Sequence, residues 1–219
     1  MKSIIRKFTT WIIAISLPIT ILLTFIRLLI TPLFPYIEYK MPNFPEDVYG
    51  FSTEERLLYA RPSILYLVNS EDIDYLERLT FQDGEAIYSE RELSHMKDVK
   101  GLVGLAIKVW YVLIAATILF VITMIAGNDK DAIRKTFCWG GWLTAGLILS
   151  FLLVIFLDFE EVFDQFHQIF FTGDTWLFYA SDTLIRLFPL KFWSDAFIIT
   201  GVGSFVTGIL LGLLLRKKV

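Results

Sequence analysis

Only two histidines occur in the 219 residues of this chain, and each sits in a distinctive stretch. His95 lies in SERELSHMKDVK (Ser89–Lys100), a charged, helix-forming segment that runs without a break into a long apolar one. His167 lies in FDQFHQIFF, just past the end of another apolar run. Imidazole, with an unperturbed pKa of about 6.5, can do both acid and base work near neutrality. A pair of imidazoles suits proton traffic in an acyl transfer that needs no enzyme nucleophile. One ring removes a proton from an attacking amine, and the other donates to the developing oxyanion or the leaving alkoxide. The plainer reading is that both rings are packing or interface residues, so their position in the fold has to decide.

Spacing supplies candidates around each ring. On a helix, Arg91, His95 and Asp98 fall on one side at i, i+4 and i+7. Asp164 precedes His167 by three residues and could hydrogen-bond its ring. The segment around His167 alternates acids with a dense aromatic set that includes Phe163, Phe170, Phe171, Trp176 and Phe178. That set reads either as an interfacial belt anchoring the protein or as a pocket wall that grips acyl chains. Other chemistries find little support. There is no HExxH, no glycine-rich phosphate loop and no GxSxG elbow. Ser89, Ser94 and Ser181 have no nucleophile context, and the lone Cys138 has no His or acid near it on its own side. His95, His167 and Asp98 could supply three metal ligands, but nothing else resembles a metal site.

Membrane helices must position these groups. The chain is 55% hydrophobic and 16% aromatic, and its apolar residues come in blocks rather than in an amphipathic rhythm. Four runs reach the ~20 residues that cross a bilayer: Phe8 to Leu33, Leu102 to Ala126, Phe137 to Leu157 and Ala196 to Leu215. The first begins on a basic stretch but is longer than the ~7–15 residues of a signal core and lacks a cleavage site, which makes it an uncleaved helix. Basic clusters at Lys2, Arg6 and Lys7, at Lys130, Arg134 and Lys135, and at Arg216, Lys217 and Lys218 all fall on one side if there are four spans. That side is cytoplasmic by the positive-inside rule, so both termini are inside and both histidines outside. A net charge of −3 gives no case for nucleic acid, and one cysteine rules out an intrachain disulfide.

The resulting layout is an all-α membrane protein with a small extracytoplasmic α/β cap. Residues 1–33 form the first span and 34–88 the cap. Residues 89–126 form the helix carrying His95 and the second span; 127–157 form a cytoplasmic link and the third span. The aromatic-rich segment 158–195 carries His167, and 196–219 hold the fourth span and a basic tail. Within the cap, Ser52 with Glu55 predicts a capping box, Ser70 a cap for EDIDYLERL, and Asp83-Gly84 a turn between short extended pieces. Pro62 is expected to break or kink its segment, which SILYLVN continues as a strand or short helix. Ser89 with Glu92 is a second capping box. Arg27 and Lys108, cations in apolar runs, either snorkel to the interface or line a cavity. Thr200, Ser204, Gly208 and Gly212 make a small-residue stripe for close helix packing.

The segments ERELSHMKDVK and FDQFHQIFF, the TW and LIRLFP that follow, and the four-span layout with an outer cap resemble the lipoprotein intramolecular transacylase (Lit) family of bacterial membrane proteins. The resemblance spans nearly the whole chain, and its histidine segments are the most specific part. It implies a diacylated lipoprotein as substrate in the membrane lipid, with no metal or organic cofactor. The sn-2 acyl chain of the diacylglyceryl group would move to the α-amino group of the N-terminal cysteine, giving the N-acyl S-monoacylglyceryl (lyso) form. The family's two catalytic histidines map onto His95 and His167. Asp98 and Asp164 are then candidate orienters, and Trp176, Phe171, Phe170 and Arg91 candidate substrate-binding residues. The rival reading is a non-enzymatic membrane protein whose cap binds a partner. A second is a metal-dependent membrane hydrolase.

Overall fold

The computed structural model describes residues 2–216, and among them nine helices form. They are α1 (Lys2–Leu29), α2 (Leu33–Glu38), α3 (Thr53–Tyr66), α4 (Asp74–Glu77), α5 (Glu90–Ala126), α6 (Lys130–Leu157), α7 (Phe159–Phe170), α8 (Thr183–Leu187) and α9 (Leu190–Leu214). Four of them, α1, α5, α6 and α9, are long and apolar enough to cross a membrane, and the protein is a multi-pass membrane protein. Lys217 and Lys218 of the proposed basic tail, and the Lys2 side chain, lie outside what is described.

α5 is the element on which the site depends. Its 37 residues extend for about 55 Å at ~1.5 Å per residue, against an apolar bilayer core of about 30 Å. The surplus is its charged beginning, ERELSHMKDVK, so His95 belongs to the part left over rather than to the span. The helix runs to Ala126 because no Gly or Pro able to stop it occurs earlier in a capping context. Beyond Gly127, Asn128 takes a left-handed conformation (φ 56°) and turns the chain toward α6.

The chain divides into two compact units. The first comprises the chain up to Ile26, Ile107–Leu157 and Ile198 onward. There the small residues of α9 do what their spacing predicts. A Cβ on Gly208 would lie 2.8 Å from the Gly141 carbonyl oxygen and 2.9 Å from the Ala145 nitrogen, so only glycine permits this approach of α9 to α6. Thr144 and Ser204 are fully buried in the same unit.

The second unit comprises Arg27–Ala106 and Asp158–Phe197 and contains both histidines. Its apolar core is built on Tyr66, Leu76, Leu187, Phe188 and Phe192. Buried polar ties supplement that small core. Arg56, 5% exposed, donates to the Arg186 carbonyl at 2.7 and 3.0 Å and to the Pro45 carbonyl at 2.7 Å. Arg186 in turn pairs with Asp47 at 2.9 Å, and the Tyr39 hydroxyl donates to the Leu187 carbonyl at 2.7 Å. Residues 130 to 148 positions apart are thus bound by guanidinium and phenol hydrogen bonds.

The expected α/β cap is corrected: the segment between α1 and α5 is helical, and no strand forms among the described residues. TFQDGEAIY gives a turn at Gly84 (φ 90°) and one isolated bridge, Thr80 to Ala86, too short to propagate a ladder. SILYLVN does not become a strand either. α3 passes through Pro62 to Tyr66, because a proline there removes one hydrogen bond from a helix already fixed by the Ser52–Glu55 capping box. Ser70 does not cap the next helix, which begins at Asp74 and keeps the apolar stripe by burying Leu76. Arg27 reaches forward past the end of α1 and donates to the Ile30 carbonyl at 3.4 Å.

One buried group in this unit makes stability depend on pH. Glu38 is 3% exposed and its Oε1 has no hydrogen-bond partner among the described residues. Burial, and then the neighbouring Asp195 carboxyl, push Glu38 up to about 7, against the opposing charge of Lys191. A carboxyl raised in the folded state contributes stability that is complete below the usual carboxylate range and lost as pH rises toward 7. Glu38→Gln, which cannot ionise, is therefore expected to melt roughly 4–8 °C above the parent at pH 8.5. At pH 5 the two should melt together, and thermal unfolding in detergent at both pH values checks this.

Candidate active site

Local capping fixes each histidine. At the start of α5, the Ser89 N–H and hydroxyl both donate to Glu92 Oε2, at 2.8 and 2.9 Å, and the Glu92 N–H donates back to Ser89 Oγ at 3.4 Å. This locks the first turn and sets the direction of His95 one turn on. α7 starts on Asp158, whose Oδ1 accepts the Glu161 N–H at 3.1 Å. It ends at Phe170, where Phe171 turns to extended backbone and its N–H donates to the His167 carbonyl at 2.8 Å.

These ends bring the two rings together. The imidazoles of His95 and His167 lie with centroids 6.0 Å apart and planes 23° from parallel. They are 8% and 9% exposed. Phe171 stands 5.0 Å from His95 and 5.5 Å from His167. Phe178 meets His95 edge-on at 5.3 Å, Trp176 lies over His167 at 5.0 Å, and Phe163 packs 4.2 Å from His167.

The protonation pattern follows from hydrogen bonding. His167 Nδ1 is 2.7 Å from the Phe163 carbonyl oxygen. A carbonyl only accepts, so Nδ1 carries the hydrogen and Nε2 presents a bare lone pair. His95 Nδ1 is buried and has no hydrogen-bond partner among the described residues. Burial, and then the proximity of His167, push His95 down to about 4. Burial lowers His167 as well, opposed by the Phe163 carbonyl and the charge of Asp164. Both rings are thus neutral at pH 7, His167 with a fixed basic nitrogen and its N–H already bound, His95 with an N–H left to donate.

The other sequence candidates divide. Phe171 is buried against both rings and Trp176 is half-buried on one, while Phe170 is exposed. Asp98 is exposed, and no hydrogen bond joins it to the unpartnered His95 Nδ1. Asp164 is exposed and reaches His167 through its charge alone; the hydrogen bond expected of it is made by a backbone carbonyl. Arg91 pairs with Asp182 at 2.9 Å. Glu92, expected only to cap α5, also accepts the Leu184 N–H through Oε1 at 2.7 Å, tying α8 to α5 across 92 positions. Among the described residues no group of three His, Cys, Asp or Glu is placed to hold a metal ion.

The fold and the site define a multi-pass helical membrane protein in which two neutral imidazoles sit under aromatic cover. Residues 11–193 match the lipoprotein intramolecular transacylase Lit family, and the chain belongs to that family. It is 30% identical over 205 residues to an uncharacterized protein of Aquifex aeolicus (strain VF5), covering 94% of this chain and 92% of that one. The fold is also that of the membrane integral lipoprotein intramolecular transacylase Lit from Bacillus cereus, with a TM-score of 0.75 at 20% identity over 97% of this chain and 94% of the other. A form of the Bacillus cereus protein with one histidine replaced by alanine gives a TM-score of 0.72 at 21% identity, covering 98% of this chain and 94% of that one.

Proposed function

We propose that this protein moves the sn-2 acyl chain of a diacylglyceryl lipoprotein to the α-amino group of its N-terminal cysteine, using His95 and His167. Family membership supports lipoprotein transacylation as the activity. The observation that carries the catalytic reading is the His167 tautomer beside a second neutral ring. His167 Nε2 takes a proton from the α-amine as its nitrogen attacks the ester carbonyl. The His95 N–H donates to the developing oxyanion, a role that a neutral imidazole fills without itself losing a proton. The carbon–oxygen bond to glycerol then breaks, and the imidazolium of His167 returns its proton to the sn-2 alkoxide. The products are an amide and a free hydroxyl, with no net gain or loss of atoms.

Amine and ester belong to one molecule, so the protein's main work is to fold the substrate until they meet. Phe171, Phe170 and Trp176 supply an apolar wall for the acyl chains. The helix at 89–126 and the segment at 158–195 each bring one ring to the extracytoplasmic face, with both termini inside and the Arg and Lys clusters toward the cytoplasm. No cofactor and no nucleic acid enter this scheme.

The test is incubation of purified protein with a synthetic diacylated lipopeptide. The reaction conserves mass, so tandem mass spectrometry must show the acyl group on the α-nitrogen; an α-N-acetylated lipopeptide must stay unchanged. His167 has to be neutral to act and is lowered from its ordinary value. Hence kcat/KM should carry a His167 limb below the ordinary imidazole value, apart from the limb that the substrate's own α-amine adds at about 7.7–8.0. A lower limb that persists in His167→Gln would contradict the assignment of His167 as base.

A further inference from the structure

Both imidazoles are covered, and much of the cover is a single stretch of irregular chain. Between Phe171 and Asp182 no helix forms. Trp176 lies over His167 and Phe178 against His95. Near the start, Gly173 takes φ 67°, and nothing lies within 4 Å of the Cβ it lacks. One end of the stretch is tied by the Phe171 N–H to the His167 carbonyl.

The other end is tied by Asp182. Its Oδ2 accepts the Tyr179 N–H at 2.8 Å and Arg91 Nη2 at 2.9 Å. The Arg91 guanidinium also lies over the rings of Phe178 and Tyr179, at 5.4 and 5.2 Å. Asp182 precedes α8 but makes no side-chain cap for it. Its carboxylate is committed instead to holding this stretch against α5, one turn before His95. The Arg91 and Asp182 side chains are 41% and 18% exposed. A pair this close to solvent holds firmly enough to order a segment and weakly enough to let it go.

We infer that residues 172–182 form a strap that must lift from the two rings before an ester and an amine can reach them. Arg91 and Asp182 are the positioning residues that latch it. The inference rests on the reading of His95 and His167 as the reacting pair. Arg91, on this account, acts on the strap rather than on the substrate. Opening is part of substrate loading, so the apparent affinity for substrate is lowered by the fraction of molecules that are closed.

Carbethoxylation with diethylpyrocarbonate measures the cover directly, because the tag-free protein holds only two imidazoles and peptide mass spectrometry resolves them. Arg91→Ala and Asp182→Asn should each raise the initial labelling rates of His95 and His167 about three- to fivefold, the range an exposed ion pair commands. Asp182→Asn keeps an acceptor for the Tyr179 N–H, which guards against a merely misfolded loop. The double variant should label no faster than either single one. The swapped pair, Arg91→Asp with Asp182→Arg, should return toward the parent rate. With lipopeptide, KM should fall by a similar factor while kcat stays within about twofold. Unchanged labelling in both single variants, or additive increases in the double, would overturn the latch. Acyl transfer surviving in His95→Ala and His167→Ala would instead refute the reacting pair and leave the labelling result standing.

Discussion

His167→Ala is expected to reduce acyl transfer by at least about 10³-fold, with the folded protein still extractable in detergent. Positioned general bases contribute about 10²–10⁴ in rate. Here the same nitrogen also returns the proton to the leaving alkoxide, so its loss acts on both halves of the reaction. The ring touches Phe163, Phe166, Phe171 and Trp176, and its removal leaves a gap that an isosteric replacement partly fills. His167→Gln should therefore restore melting temperature without restoring activity. Its amide fills much of the ring's space but has no basic nitrogen. Single-turnover mass spectrometry on both variants, with melting curves beside it, separates lost chemistry from lost packing.

The second large effect is at His95, and it should differ in kind. This ring is pushed down to about 4 by burial and by its partner, so it is a neutral hydrogen-bond donor throughout the working range. His95→Ala should cost about 10²–10³ in kcat, the loss typical of one oxyanion donor. His95→Gln keeps an N–H and should retain more activity than His95→Ala. The lower pH limb distinguishes the two histidines. It belongs to His167, so it should persist in His95→Gln and vanish from whatever rate remains in His167→Gln. A limb lost with His95 and kept without His167 would reverse the assignment.

The sequence made the four long helices legible because apolar runs exceeding bilayer length have few other folds. Counting four spans also puts His95 and His167 on one side, and their rings lie 6.0 Å apart. What it hid was backbone chemistry. Spacing points to Asp164 as a partner for His167, whereas the bond goes to the Phe163 carbonyl, a group that any residue at that position carries. Glu92 was legible as a cap because Ser89 stands three residues before it. Its second bond, to the Leu184 N–H, depends on tertiary placement and leaves no local trace. The link from Arg91 to Asp182 is invisible for the same reason.

The helical segment between α1 and α5 shows a different limit. Thr80 to Tyr88 holds a good turn at Asp83-Gly84 and β-prone neighbours, yet two flanks of only a few residues give one bridge. The helices beside it bury the available core residues, Tyr66 and Leu76 among them. Local propensity was present there, but length and tertiary packing decided against a sheet.

The central claim is that one acyl chain passes, inside one substrate molecule, from glycerol to the α-nitrogen under the control of these two rings. A crossover measurement tests it most directly. Two diacylated lipopeptides of different peptide sequence are mixed in equal amounts, one with a deuterated sn-2 chain, and incubated with the purified protein. The account predicts the deuterated chain only on the α-nitrogen of its own peptide, and no product with His167→Ala. Deuterium on the other peptide, or a product that survives loss of His167, would contradict it.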